Sequence, residues 1–100
     1  MTSEAEFHLM IESAKGSDVA FLTDLGPIVL AVLAVGMAED TRSIARHLDV
    51  AHALVLRECN HLCDELLLIS MEDDGSRSGR QRLGLTEKGL DFMAFREAAE

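Results

Sequence analysis

Cys59 and Cys63 stand one helical turn apart, and His52 falls near the same side of that stretch, seven residues before Cys59. Two thiols and an imidazole so spaced could offer three soft ligands to zinc or another thiophilic metal. The same positions, however, lie in a run with Val55, Leu56, Leu62 and Leu66, where a free cysteine behaves as a small hydrophobe. Core packing is the expected role, and no metal site is assigned. A disulfide within one helix would constrain little. The four histidines, His8, His47, His52 and His61, share no spacing, and Asp64-Glu65 and Asp73-Asp74 read as solvated carboxylates. No nucleophile, base and orienting group recur as a motif, and there is no Gly-rich phosphate loop. Neither catalytic residues nor a cofactor are expected.

The arginines follow a mechanism more closely. If residues 51–66 are helical, Ala53, Leu54, Arg57, Asn60, His61 and Asp64 lie opposite the apolar stripe. There the planar fork of Arg57 could read guanine O6 and N7, and His61 is the histidine best placed to meet a ligand. Arg77, Arg80 and Arg82 could hold phosphates or enter a minor groove, and Arg42 could take one phosphate more. The candidate DNA-contacting set is therefore Arg42, Arg57, Asn60, His61, Arg77, Arg80 and Arg82. Ordinary solubilising arginines are the competing reading.

These residues need elements to position them. Ser43 to Leu48 puts Ile44, Ala45 and Leu48 on one helical face, and Asp49-Val50-Ala51 is too short to be anything but a corner. Beyond it Val55, Leu56, Cys59, Leu62, Cys63 and Leu66 form an apolar stripe. From Leu67 to Glu72 the period changes to two, with Leu67, Ile69 and Met71 on one side. Asp73 to Gly79 is dense in turn formers, and Gln81, Leu83 and Leu85 alternate with Arg80, Arg82 and Gly84 as a return strand.

The SIARHLDV turn, the helical run ending in HLCDELLLI, the basic hairpin GSRSGRQRLGL and LTEKG opening a last helix together resemble the winged helix-turn-helix regulators, in the style of the MarR, ArsR and PadR families. The pattern spans roughly residues 22–95, as an order of elements more than a strict signature. The resemblance implies a mostly helical α+β winged helix-turn-helix fold with N- and C-terminal flanking helices. It further implies a homodimeric transcriptional regulator binding double-stranded DNA, with a recognition helix at about 51–66 and a wing at 73–82. At the start of that helix this chain carries Val50, Ala51, His52, Ala53 and Leu54, where the family commonly offers Ser, Thr, Arg or Lys.

One domain of 100 residues is expected, divided into an N-terminal helix (1–16), a core (24–85) and a C-terminal helix (86–100). Ser3 and Glu6 form a capping box, Asp24 is a plausible cap for a helix from Leu25 to Met37, and Thr86 caps the last helix. The Leu25–Met37 helix is apolar nearly all round, so it is either central to this chain or covered on one side by a partner subunit. Phe7, Phe92 and Phe95 lie in the terminal helices, which either close the core or form a dimer surface. The longest apolar run, Ile28 to Ala38, has 11 residues and as a helix reaches about 16 Å, half of a hydrocarbon core. No membrane span is expected, and the N-terminus has no basic and apolar leader, so the chain reads as cytoplasmic. A formal charge of −9 opposes tight nonspecific binding to phosphates. The alternative function is a winged-helix module that binds another protein, or antagonises another regulator, without binding DNA.

Overall fold

The structure, a computed structural model, describes residues 4–75, 77 and 79–98, with side chains through 94. The elements run α1 (Glu4–Lys15), α2 (Leu25–Val35), α3 (Thr41–Leu48), α4 (His52–Asp64), β1 (Ile69–Asp73), β2 (Gln81–Leu85) and α5 (Glu87–Ala98). The chain is thus a mostly helical α+β protein with a two-stranded antiparallel sheet. The Ser3 end of the expected capping box and the Phe95 side chain lie outside the described residues. Among those residues no helix is long and apolar enough to cross a membrane.

α2 is the centre of the fold. Val29, Leu30, Ala31 and Val32 are fully buried, because α1, α4, α5 and β2 all pack on this helix. Its apolar circumference is largely consumed within one chain. It ends at Val35, short of the expected Met37, because Gly36 adopts φ 73° and donates its amide to the Leu33 carbonyl while Met37 donates to Val32. Glycine accepts that left-handed conformation without penalty. Met37 is left exposed.

The corner between α3 and α4 closes in a similar way. Asp49 sits at φ 54°, and the Val50 amide donates to the Ala45 carbonyl at 3.0 Å. Two residues, Val50 and Ala51, then lead directly into α4.

The hairpin pairs Ile69 with Leu85 and Met71 with Leu83, with Ser70 opposite Gly84 between them and Glu72 opposite Arg82 one step nearer the loop. Period two therefore turns Ile69 and Leu83 into the core while Glu72 and Arg82 stay exposed. Extension begins at Ile69, later than expected, because Leu66 and Leu68 donate their amides to the His61 and Leu62 carbonyls and so close α4. Leu67, at φ 58°, is 59% exposed. On the other edge the Leu83 amide donates to the Glu39 carbonyl at 2.7 Å, and Asp40 bridges Arg82. The segment entering α3 thus lies alongside β2.

The three carbonyls of Leu66, Leu67 and Leu68 receive the start of α5. Lys88 Nζ donates to the first, Thr86 Oγ1 to the second and the Thr86 amide to the third. Thr86 Oγ1 also accepts from the Gly89 amide at 3.0 Å, so it caps α5 as expected. Gly89 lies so close to Leu68 that a methyl group would run into the Leu68 carbonyl oxygen. Gly89→Ala should therefore destabilise the fold by roughly 1–3 kcal/mol, although alanine is the better helix former. Denaturant unfolding measures this, and an unchanged or raised midpoint would show that α5 is free to shift.

Candidate functional site

α4 has two faces of different chemistry. Val55, Cys59 and Leu62 are fully buried, and Glu58, at 1% exposure, is buried among them. Its carboxylate is satisfied from a segment far away in sequence: Oε1 accepts from the Thr23 amide at 3.1 Å and Oε2 from the Thr23 hydroxyl at 3.2 Å. Thr23 Oγ1 in turn accepts from the Leu25 amide at 3.1 Å. That arrangement replaces the expected Asp24 cap, whose side chain makes no capping bond. The carboxylate sits by the first turn of α2, the positive end of the helix, which favours a negative charge. Gly26 leaves room for it, because a Cβ there would stand 2.6 Å from Glu58 Oε1 and 2.7 Å from Phe21 Cδ1.

One turn along, His61 Nε2 lies 3.0 Å from the Ala20 carbonyl oxygen. His61 was expected on the outward face; it is half-buried and tied to the loop before α2. Phe21, from the same loop, packs edge-on against Phe92 with centroids 6.4 Å apart. Phe92 thus serves the interior of this chain.

The outward face of α4 carries Ala53, Leu54, Arg57 and Asn60, all exposed, with Leu54 at 51%. Between Ala51 and Cys63 the sequence holds one carboxylate, Glu58, and that one points inward. The exposed face is therefore free of acid until Asp64. On α3, Arg46 and His47 are exposed and Arg42 is half-buried, against one exposed carboxylate at Asp49. Sequence reasoning missed both Glu58 and Arg46. Glu58 lies three residues after Val55 and four before Leu62, which is core spacing.

Where α3, α4 and β2 meet, Thr41 is fully buried. Its hydroxyl accepts from the Gln81 amide at 3.0 Å and lies 2.8 Å from His52 Nε2. A neutral His52 accepting at Nε2 uses the one proton Thr41 has to give. Burial lowers the His52 pKa, Arg42 lowers it further, and Asp40 opposes both. Asp40 caps α3, accepting from the Ser43 amide and hydroxyl at 2.8 and 2.9 Å. Burial pushes its carboxyl up, but the Ser43 bonds, Arg80 and the Arg42 amide outweigh that and hold it low.

The hairpin arginines keep acidic company. Arg80 Nε lies 3.5 Å from Asp40 and 3.8 Å from Asp74. Arg82 lines a cleft of about 230 Å³ with Glu72, Asp73 and Asp74, and Arg77 is exposed. From Glu72 to Arg82 three carboxylates offset three guanidiniums. Of the seven predicted residues, Arg42 and Arg80 thus lie near the Asp40–Thr41 turn and Arg57 and Asn60 on the outward face of α4, while His61 turns to Ala20 and Arg77 and Arg82 stay exposed on the hairpin.

The thiols are not gathered with His52, and among the described residues no three His, Cys, Asp or Glu side chains could hold a metal. Burial, then Glu58 and Cys63, push the Cys59 pKa up to about 12. Burial and Asp64 also raise that of Cys63. No family model matches the chain, and no curated protein or solved structure matches it.

Two measurements follow from this geometry. Glu58→Ala strands the Thr23 amide and hydroxyl and should cost roughly 2–4 kcal/mol, while Glu58→Gln, which keeps one acceptor oxygen, should cost less than half of that; equal losses in denaturant unfolding would contradict the pairing. For His52, folding depresses the pKa, so the unfolded chain takes up this proton first as pH falls. The stabilisation is complete above the ordinary value of 6.5 and is lost as pH drops through the folded value. His52→Gln should flatten that part of the stability profile, and an unchanged slope would remove the neutral-His52 assignment.

Proposed function

We propose that the protein is a homodimeric, winged helix-turn-helix DNA-binding regulator in which α4 enters the major groove and the β1–β2 hairpin serves as the wing. The order helix, corner, helix, hairpin supports this reading, as does the Glu39–Asp40 segment lying alongside β2 like a third strand. The observation that carries it is the outward face of α4 from Ala53 to Asn60, which holds no acid before Asp64 at the helix end. With Glu58 turned inward, Arg57 meets bases without a neighbouring carboxylate, and Asn60 has only Asp64 one turn on at the helix end, although the whole chain has a charge of −9. Arg57 offers a bidentate fork to guanine and Asn60 an amide suited to adenine. Arg42, Arg46, Arg77 and Arg82 are the phosphate contacts, each positioning the duplex without specifying it. For dimerisation the exposed Leu9 of α1 and Leu90 of α5 are the candidate surface, since α2 and Phe92 are already used within the chain.

A specific observation favours a second reading, a protein-interaction module. Arg80 lies between Asp40 and Asp74, and Arg82 faces Glu72, so the hairpin has little net charge to spend on phosphates. Selection of duplexes from a random pool, followed by anisotropy titration, separates the two. For the regulator, a dimer neutralising about four phosphates gives a log–log salt slope near −3.6. Arg57→Ala should lose about 1–3 kcal/mol on the selected site and little elsewhere. Arg80→Ala should change little. No binding to any duplex at about 50 mM salt, together with capture of a protein partner, would leave the interaction module.

A further inference from the structure

The first turn of α4, nearest the corner, contains no side chain free to hydrogen-bond a base. Ala51, Ala53 and Leu54 are all exposed there, and the one polar ring, His52, is directed to Thr41 Oγ1. An exposed leucine at 51% in that place has a definite complement in a major groove. The apolar group presented by base pairs there is the C5-methyl of thymine, and a C5-methylated cytosine carries the same group. Arg57 stands three residues after Leu54 and four after Ala53, so the three share one face. Long helical side chains lean towards the helix N-terminus, which directs the Arg57 stem over Ala53 and Leu54 and its fork to the adjoining base.

We infer that, within the DNA-binding reading on which this rests, α4 selects a C5-methylated pyrimidine next to a guanine, with Leu54 and Ala53 covering the methyl group and Arg57 holding guanine O6 and N7. Charge supports the choice of occupant. The inward turn of Glu58 leaves Arg57 as the charged group on this face before Asp64, with Arg46 and Arg42 on α3. A protein ligand of the common acidic kind would find cations there too, but it has no reason to distinguish one methyl group on a base.

The test uses the full chain and a duplex selected from a random pool, with the pyrimidine beside the guanine made as thymine, uracil, cytosine or 5-methylcytosine. Thymine should bind more tightly than uracil, and 5-methylcytosine more tightly than cytosine, by about fourfold for each methyl buried. A preference in one pair alone identifies thymine or 5-methylcytosine as the source and still supports the inference. Leu54→Ala, at an exposed position, should bring both ratios towards one while dependence on the guanine persists. Ratios of one in the unaltered protein, with binding intact, would overturn the methyl reading and leave the regulator standing. Absence of binding to every duplex would overturn both.

Discussion

A carboxylate removed from water persists only where donors replace its hydration, and Glu58 meets that condition with two bonds from a single residue, Thr23. The consequence is mechanical. α4 carries the outward face and α2 forms the core, and Glu58 joins the first to the N-terminal end of the second. Gly26 permits the approach, and the Phe21–Phe92 contact brings α5 to the same loop. Because Glu58 points inward, the rotation of α4 about its axis is fixed. Arg57 and Asn60 must then face solvent.

Two threonine hydroxyls do comparable work at the ends of the hairpin. Thr41 takes the Gln81 amide where β2 begins and meets His52 where α4 begins. Thr86 gives its proton to the Leu67 carbonyl and accepts from Gly89, so the exit of β2 is joined to the entry of β1 and to α5. A hydroxyl can donate and accept at once. Each threonine therefore ties elements that share no ladder, and the hairpin is held at its open end by Thr86 and at the loop end of β2 by Thr41.

Much of this was legible in the sequence because periodicity reports which face a residue occupies. The α3–α4 corner, the pairing of the return strand and the Thr86 cap follow from local spacing. What local spacing cannot reveal is a partner distant in the chain. Arg80 reads as a free cation until Asp40 is beside it, His61 reads as outward until Ala20 is placed, and Asp24 reads as a cap until Thr23 and Glu58 take that function. Leu67 failed for another reason, since a left-handed backbone at a leucine has no sequence mark. Glu58 was visible in principle. An acid at core spacing in an apolar stripe should prompt a search for its donors.

The Thr23 amide belongs to no helix or strand, and the hydrogen bond that occupies it runs to Glu58. Residue-resolved hydrogen exchange therefore tests the inward Glu58 most directly. The Thr23 amide should exchange as slowly as the α2 core amides around Leu30, since both would be released by parting α4 from α2. Exchange at the rate of an open loop, with Leu30 still protected, would show that Glu58 does not hold α4 and that the outward face around Arg57 has lost the physical cause that keeps acid from it.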